Sequence, residues 1–401
     1  MVRAIAFQCS NCGETKDEDV LNYECPRCGR PLQIGYEIEQ LDWSTIADRR
    51  ETEILKYREF MPVQPEFLVS MGEGGTPVVE AKRIGKLMGL RSLLIKNEAV
   101  SPTGSFKDRG SSLLASKARQ LKMSTVAIDS SGNAAASLAG YSAHANLACK
   151  VFTPAYASES KLIQAQAYGA SVIKVEGTRK DVYDTARAAC AKHPWYYCGF
   201  QLNPYASEGL KTIAYEIFES FRTEMPDRIV FPVGTGSGLI GCWKGFKDLL
   251  NLALIDKIPS LICVQPSGCS PIAKAFTTGS RIEPIEKPKT IAEGLMIGHP
   301  LKGETIIRAL KETKGTATAV NDEKIVHWTH ELGKVEGIYA EPSAAASVAG
   351  ISELVERGQI DSDERILCMI TGSGLKTPHS LNGRLPKPLL IRPFEIEMIA
   401  S

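Results

Sequence analysis

Short β-branched runs alternate with longer Ala-rich amphipathic stretches from about Arg91 to Ile370, and this alternation constrains the fold more than any other feature of the sequence. It predicts strands over residues 92–95, 125–128, 149–153, 171–174, 228–233, 260–265 and 365–370. Helical patterns between them include residues 105–121, 133–144 and 208–222. Alternating strands and helices predict parallel sheets covered by helices, which is the α/β class. The length of 401 residues and the number of strands indicate two such sheets.

The cysteines are crowded at the start of the chain, where four of the eleven lie within the first 28 residues. They form two Cys-x-x-Cys-Gly turns separated by twelve residues, a spacing that brings four thiolates to one tetrahedral site for a structural Zn(II). Residues 4–8 and 32–36 are typical of short strands, so we expect a zinc-ribbon-like segment over residues 1–39. A redox pair or a disulfide-linked turn is the alternative. The predicted metal ligands are Cys9, Cys12, Cys25 and Cys28.

Composition is that of an ordinary globular protein, with 43% hydrophobic and 23% charged residues. The 47 Lys and Arg residues balance 46 Asp and Glu residues, and the net charge of +1 offers no electrostatic footprint for nucleic acid or for an anionic membrane. The first residues hold too short an apolar run for a signal peptide, and no stretch approaches the ~20 apolar residues of a membrane span. We therefore expect a cytoplasmic protein, with the seven other cysteines buried as small hydrophobic residues.

A lysine stands in the turn between the first of these predicted strands and the helix that follows. The string Ser101-Pro-Thr-Gly-Ser-Phe-Lys107-Asp-Arg-Gly110 places Lys107 near the helix N-terminus. The positive end of the helix dipole and partial burial both lower the pKa of an amine at that position, which suits a nucleophile for imine chemistry. The alternative is a surface lysine on a polar first turn.

A second turn, Asp129-Ser130-Ser131-Gly132-Asn133, lies between a predicted strand and a helix of small residues. Its amides and hydroxyls converge where a carboxylate or a ring hydroxyl can dock. The same residues are also typical of a plain turn that caps a helix.

A third turn, Pro232-Val-Gly234-Thr235-Gly236-Ser237-Gly238, follows another apolar strand. Glycines let successive backbone N–H groups close around a phosphate, and the two hydroxyls add donors. Residues 236–241 formally match the dinucleotide pattern G-x-G-x-x-G. That pattern requires an acidic residue at the end of the next strand, where this chain has Gln265. The turn therefore favours a single phosphate over a dinucleotide.

A fourth turn begins at Thr371, after the last predicted strand, and places a hydroxyl where a parallel sheet binds ligands. An ordinary turn is again the alternative. One ligand accounts for all four turns together, because it has an aldehyde for Lys107, a ring hydroxyl for Asn133, a phosphate for the glycine turn and a ring nitrogen for Thr371. These groups describe pyridoxal 5'-phosphate.

With these motifs the sequence resembles the fold type II pyridoxal-phosphate enzymes, and most closely the threonine synthase family. The resemblance rests on the lysine string and runs from the cysteine turns to Thr371-Gly-Ser-Gly-Leu-Lys. It implies two α/β domains of the tryptophan synthase β-like type behind the zinc-ribbon-like segment. Residues 40–115 would form a connector and the first part of the large domain, 116–205 the smaller domain, and 206–401 the rest of the large domain. A homodimer and a small amino-acid substrate are also implied.

The resemblance further implies a role for each residue of the turns. Lys107 would bind the cofactor covalently and act in catalysis, Phe106 would contact the ring, and Thr371 would face the ring nitrogen. Asn133 would lie beside the ring hydroxyl. The phosphate would be held by Gly234, Thr235, Gly236, Ser237 and Gly238. The substrate would contact Ser130, Ser131 and Asn133.

The implied activity is the conversion of O-phospho-L-homoserine and water to L-threonine and phosphate by γ-elimination and β-replacement. The sequence departs from the family where the substrate phosphate is held, because the pattern Asn-Pro-x-Arg-x-Glu-Gly has Ala206 in place of the arginine. Ser131 and Ser373 also replace the more common Thr and His. A β-eliminating lyase, of the threonine/serine dehydratase or diaminopropionate ammonia-lyase type, is therefore the alternative. A binding or regulatory module that keeps the fold is a third.

Overall fold

The computed structural model describes residues 2–17, 21–38, 41–157, 159–388, 390, 392 and 393. The predicted end of the first segment, at residue 39, lies outside these ranges. Within them the strands are β1 Val2–Cys9, β2 Thr15–Lys16, β3 Leu32–Ile38, β4 Val78–Glu80, β5 Ser92–Asn97, β6 Thr125–Asp129, β7 Ala148–Pro154, β8 Ser171–Val175, β9 Tyr196–Tyr197, β10 Arg228–Pro232, β11 Ser260–Pro266, β12 Thr316–Val320 and β13 Arg365–Ile370. All seven strands predicted in the α/β part are confirmed.

The α-helices cover both sheets of the α/β part, and every helix in the described ranges is too short or too polar to span a bilayer. They are α1 Trp43–Ala47, α2 Lys82–Met88, α3 Lys107–Gln120, α4 Asn133–His144, α5 Glu159–Ala167, α6 Arg179–Lys192, α7 Tyr205–Leu210, α8 Thr212–Phe221, α9 Ser237–Asn251, α10 Pro271–Thr278, α11 Gly303–Glu312, α12 Asp322–Glu336 and α13 Pro342–Glu356.

The ribbon sheet, with strand order β2-β1-β3, is antiparallel and carries the cysteine turns. Its buried Phe7 packs edge-on against Tyr23, with ring centroids 5.3 Å apart. The Tyr23 hydroxyl lies 2.8 Å from the Tyr196 hydroxyl of β9. The ring of Phe7 also lies edge-on to that of Tyr205 in α7, with centroids 6.4 Å apart, so ring packing and a hydrogen bond both attach the ribbon to the body of the protein.

The other two sheets are built from parallel strands. The small sheet has the order β8-β7-β6-β9. The large sheet has the order β12-β11-β10-β13-β5-β4, in which only β4 runs antiparallel to its neighbour. Both faces of the large sheet are covered, because Leu93 and Ile95 belong to one hydrophobic core and Leu94 to the other. The α/β class with parallel sheets is therefore confirmed, and the predicted domain limits stay a prediction.

Some elements differ from the sequence prediction. The predicted helix 208–222 is two helices, α7 and α8, which meet at Lys211. Strands β2, β4, β9 and β12 were not predicted. The first three have only two or three residues, and β12 alternates Thr with Ala, which carries little apolar signal. The seven cysteines outside the ribbon are buried as expected, except Cys190, which is half-buried.

A buried arginine fixes helix α3 to its surroundings. Arg109 is 0% exposed, and its guanidinium contacts two carboxylates, that of Glu98 after β5 and that of Glu216 on α8. The Nε and Nη2 atoms donate to Glu98 at 2.7 and 2.8 Å, and the Nη1 and Nη2 atoms donate to Glu216 at 2.5 and 2.8 Å. Lys96 on β5 also donates to Glu216 at 2.8 Å. Burial alone would raise the pKa of the Glu216 carboxyl, but these two cations lower it to about 2.

Helices α3 and α7 cross at a glycine contact. A Cβ atom on Gly209 would lie 1.9 Å from the Arg109 carbonyl oxygen, so any larger side chain would push the two helices apart. We expect Gly209→Ala to lower the free energy of unfolding by about 3 kcal/mol. Gly333→Ala is the matched control, since Gly333 lies within α12 and a methyl group added there would meet no atom within 4 Å. It should raise stability by roughly 0.5–1 kcal/mol. Equal urea midpoints for the two variants would contradict the contact.

Candidate functional site

A cavity of about 1140 Å³ lies at the carboxyl ends of the strands of both the large and the small sheet. The turns after β6, β10 and β13 contribute to its wall, as does the start of α3. Parallel α/β sheets bind ligands in crevices of this kind. The structure brings together here all the predicted site residues other than the cysteines: Phe106, Lys107, Ser130, Ser131, Asn133, Gly234, Thr235, Gly236, Ser237, Gly238 and Thr371.

Lys107 is the first residue of α3, and its amine points across the cavity towards the glycine turn. The Nζ atom donates to Ser237 Oγ at 3.1 Å. It also lies 4.6 Å from the ring centroid of Phe106 and 4.3 Å from that of Phe200. Enclosure by protein atoms lowers the pKa of Lys107 to about 7; the positive charge of Lys302 adds to this shift and the Glu341 carboxylate opposes it. A substantial fraction of the amine is therefore neutral near neutral pH.

The turn that carries Lys107 is held by Asp108. The Asp108 carboxylate accepts hydrogen bonds from the backbone N–H and the hydroxyl of Thr103, at 2.7 and 2.5 Å. On the other side, the Phe106 N–H donates to the Thr371 carbonyl at 3.0 Å. The Pro-Thr-Gly-Ser-Phe turn is thus fixed to strand β13, and Lys107 and Thr371 lie close together as a result.

The glycine turn forms the N-terminus of α9, a helix of fifteen residues. Gly236 has a φ of +75°, and a Cβ there would lie 2.2 Å from Ile306 Cδ1. A Cβ on Gly238 would lie 2.9 Å from the Phe106 ring. The hydroxyls of Thr235 and Ser237 lie 3.2 Å apart at the same helix end. Backbone N–H groups, two hydroxyls and the positive end of the helix dipole make this turn suitable for a phosphate.

Asn133 begins α4 and faces a carboxylate. Its Nδ2 atom donates to Glu341 Oε1 at 2.7 Å, across the cavity wall. Gly372 passes close to both groups, because a Cβ there would lie 2.4 Å from Glu341 Oε1 and 3.1 Å from Asn133 Nδ2. Ser130 and Ser131 lie in the turn before α4, where the Gly132 N–H donates to Ser130 Oγ at 3.3 Å.

Two wall residues, Phe200 and Glu341, were not assigned to the site from the sequence. Phe200 follows a single glycine, Gly199, and lies three residues before Asn203-Pro204, in a segment whose sequence indicates only a loop. Glu341 lies in the segment Tyr-Ala-Glu-Pro-Ser, whose sequence indicates only the start of a helix. Both belong to chain segments far from Lys107, and only the fold brings them to it.

The four ribbon cysteines form a cluster of their own. Their Sγ atoms all lie within 4.8 Å of one another, with Cys9 3.5 Å from Cys28 and Cys12 3.6 Å from Cys25. A disulfide needs a separation of about 2 Å, so these are separate thiols. Tetrahedral zinc with Zn–S bonds of about 2.3 Å requires sulfurs roughly 3.8 Å apart, which fits this cluster. The turn glycines Gly13 and Gly29 have φ angles of +75° and +68°, in the region that favours glycine.

Comparison with known proteins agrees with the geometry of the cleft. The family described as pyridoxal-phosphate dependent enzymes matches residues 69–372. A threonine synthase from Methanocaldococcus jannaschii is 39% identical over 96% of both chains. The chain belongs to the threonine synthase family. A second member, from Methanosarcina acetivorans, is 36% identical over 96% of this chain and 95% of its own length.

Solved structures support the fold of this threonine synthase family member. Maize serine racemase superposes with a TM-score of 0.67 and 20% identity, over 82% of this chain and 95% of that one. Threonine deaminase isoform 2 from Solanum lycopersicum gives a TM-score of 0.66 and 20% identity, over 90% of this chain and 94% of that one. At these identities the comparison establishes the fold type II architecture that the sequence predicted.

The cofactor of the family fits the residues of the cleft. Pyridoxal phosphate presents an aldehyde, a phosphate, a ring hydroxyl and a ring nitrogen. The cleft offers the Lys107 amine, the N-terminus of α9, the Asn133 amide and the Thr371 hydroxyl on one continuous wall. Close packing around Gly236 and Gly238 leaves space for the ligand only on the cavity side of the glycine turn. The role of each residue stays a prediction.

The glycine turn can be tested with a pair of matched variants. We expect Gly236→Ala to weaken binding of pyridoxal phosphate to the cofactor-free protein by tenfold or more, because the new methyl group displaces Ile306 and the helix N-terminus with it. Gly279→Ala is the control, since Gly279 has a similar φ of +69° at the end of α10 but no atom within 4 Å of a new methyl group. Both variants carry a backbone cost of ~1 kcal/mol. Equal dissociation constants in equilibrium dialysis would show that the turn does not hold the phosphate.

Proposed function

We propose that this protein is a threonine synthase that converts O-phospho-L-homoserine and water to L-threonine and phosphate. The observation that carries the proposal is the amine of Lys107, held at the mouth of the glycine turn in a cleft of the pyridoxal-phosphate family. Its 39% identity with the Methanocaldococcus jannaschii protein over nearly the whole chain supports the same activity.

The cofactor, when bound, supplies an electron sink for the carbon atoms next to the substrate nitrogen. Lys107 supplies the proton transfers, because a neutral amine can remove a proton from carbon and return it. Its lowered pKa leaves it neutral above about pH 7. During the reaction the α- and β-carbons each lose a proton, the Cγ–O bond breaks, and phosphate leaves with the bonding electrons. Water then adds its hydroxyl to the β-carbon and its remaining proton goes to the phosphate, while the α- and γ-carbons each gain a proton.

We assign substrate binding to the turn before α4. The N–H groups of Ser131 and Asn133 stand at the N-terminus of a twelve-residue helix, where a carboxylate is favoured by the helix dipole. Ser130 and Ser131 add hydroxyl donors on the same wall. The Asn133 amide is oriented by Glu341, so its second N–H is directed away from that carboxylate.

A second candidate activity follows from Ala206. This residue is 0% exposed and packs within the hydrophobic core, so no arginine is present there to clamp a substrate phosphate. On the described cavity wall, the lysine and arginine side chains other than Lys107 are Arg179 and Lys376. Arg179 already donates to the Asp129 carboxylate at 3.3 Å. A β-eliminating lyase of the threonine/serine dehydratase or diaminopropionate ammonia-lyase type needs no phosphate clamp.

Product analysis separates the two activities. With O-phospho-L-homoserine, a threonine synthase releases phosphate and L-threonine in equal amounts. With L-threonine, L-serine or diaminopropionate, a β-eliminating lyase releases a keto acid and ammonia. We expect the first result for the wild-type protein and at least a 1000-fold loss in Lys107→Ala, since general acid–base and covalent contributions are both removed. Keto acid formation without phosphate release would reject the synthase.

We further propose that the ribbon cysteines bind one structural Zn(II). Four thiolates fill a tetrahedral shell and leave no position for a substrate, so the metal would act on the fold alone. The ribbon lies against both parts of the body: Glu24 accepts from Arg187 of α6 at 2.8 Å, and the Ser10 hydroxyl lies 2.8 Å from that of Thr305 on α11. Loss of the metal would therefore loosen both contacts.

Metal analysis tests this site. Freshly purified protein should hold about one zinc per chain, and Cys9→Ser should lose it. Cys190→Ser is the control, because Cys190 is a half-buried thiol outside the cluster. We expect Cys9→Ser to lower the thermal unfolding temperature and Cys190→Ser to change it little. A protein without zinc, or zinc retained in Cys9→Ser, would refute the proposal.

Three broader features are also proposed. A cytoplasmic location is inferred from the sequence, and a homodimer and domain limits near residues 39, 115 and 205 are implied by the resemblance. The division into a small and a large domain is supported by the order of the sheets, since β6–β9 lie between β5 and β10 in the chain and form the small sheet alone. Sedimentation analysis tests the dimer.

A further inference from the structure

A second lysine lies behind the wall of the cleft. Lys302 directly precedes α11, and its side chain turns inward and is 5% exposed. The Nζ atom donates to the Phe200 carbonyl at 3.0 Å and to Ser207 Oγ at 3.3 Å. Both of these partners are uncharged. An ammonium buried between neutral groups is costly, and burial therefore favours the neutral form of the amine.

Other charged groups around Lys302 leave its charge largely uncompensated. Glu208 lies close enough to favour the ammonium, but it forms ion pairs with Lys211, at 3.1 Å, and with Lys244. Burial lowers the pKa of Lys302 to about 7, and the positive charge of Lys244 adds to this shift while Glu208 opposes it. Lys302 therefore changes its charge in the same pH range as Lys107.

Lys302 and Lys107 are connected through Phe200. The ring of Phe200 faces the Lys107 amine, with 4.3 Å between Nζ and the ring centroid, while its carbonyl accepts from Lys302. The neighbouring side chain of Gln201 accepts from the Leu301 N–H at 3.2 Å. Residues 200 and 201 line the cleft, so residues 301 and 302 hold this part of the wall from behind.

The charged groups near Lys107 have opposite effects on its protonation. The Glu341 carboxylate favours the ammonium form of Lys107, and the faces of Phe106 and Phe200 do so weakly. Burial and the charge of Lys302 favour the neutral amine. Glu341 and the two rings favour the ammonium form of Lys107. Without Lys302, burial alone among these influences would oppose that form.

We propose that Lys302 is a positioning residue for Lys107: through its hydrogen bond to the Phe200 carbonyl it holds the Phe200 ring against the Lys107 amine, and it places a second amine behind that ring. The proposal rests on the proposed attachment of the cofactor at Lys107 but not on the identity of the substrate. It assigns a function to a buried lysine that touches neither the cavity nor a carboxylate within hydrogen-bond distance among the described residues.

Cofactor uptake provides a test that does not depend on turnover. Cofactor-free protein is mixed with pyridoxal phosphate at a series of pH values, and the visible absorbance of the bound form is followed. Only a neutral amine can attack the aldehyde carbon, with loss of water, so the pH midpoint of the uptake rate reports the titration of Lys107. For the wild-type protein we expect a midpoint near pH 7.

Variants of Lys302 should move this midpoint in a defined way. Lys302→Met should raise it by about half a pH unit or more, because a like charge in a buried site is removed. Lys302→Arg carries a positive charge over the whole pH range and should give a midpoint at or below that of the wild type. Lys311→Met, at an exposed position on the same helix, is the control and should leave it unchanged. Lys302→Gln serves as a second neutral variant if Lys302→Met does not fold.

The outcomes separate this inference from the proposed function. If neutral variants that fold, as judged by circular dichroism, have the midpoint of the wild type, Lys302 is a structural residue only and the proposal is overturned. A midpoint that shifts equally in Lys302→Arg would also overturn it, because the charge would then not be the cause. If the wild-type protein takes up no cofactor at all, the proposed function itself fails.

Discussion

The buried ion cluster around Arg109 is the interaction on which the rest of the structure depends. One guanidinium contacts two carboxylates, Glu98 from the end of β5 and Glu216 from α8, and all three side chains are buried. Removing one partner of such a buried set leaves an uncompensated charge and costs about 3–5 kcal/mol. The cluster therefore joins strand β5 and helices α3 and α8 into one unit.

The position of this cluster explains the position of the site. Arg109 is two residues beyond Lys107, so the contacts that hold Arg109 also fix the first turn of α3. From the other side, Asp108 holds the preceding turn through Thr103. The Lys107 side chain is left to extend between the two sheets towards the N-terminus of α9. A rigid start of the helix with a free amine is what covalent attachment of a cofactor requires.

Much of the site could be predicted from the sequence, because each of its turns joins a strand to a helix. Lys107, Asn133, Thr371 and the glycine turn all follow apolar strands, and parallel strands bring their carboxyl ends to one edge. Phe200, Glu341 and Lys302 could not be predicted in the same way. Their effect on Lys107 arises from contacts between segments that are distant in the chain, such as the contact between residues 200 and 302. Local sequence patterns cannot predict such contacts.

We propose that Lys107, among the lysines in and behind the cleft, bonds the cofactor. Reduction of the protein with borohydride in the presence of pyridoxal phosphate would fix the cofactor permanently to its lysine, and mass spectrometry of a digest would locate it. We expect the phosphopyridoxyl group on Lys107 alone. Finding it on Lys302 or Lys376, or on no lysine of a protein that has bound the cofactor, would contradict the assignment of Lys107.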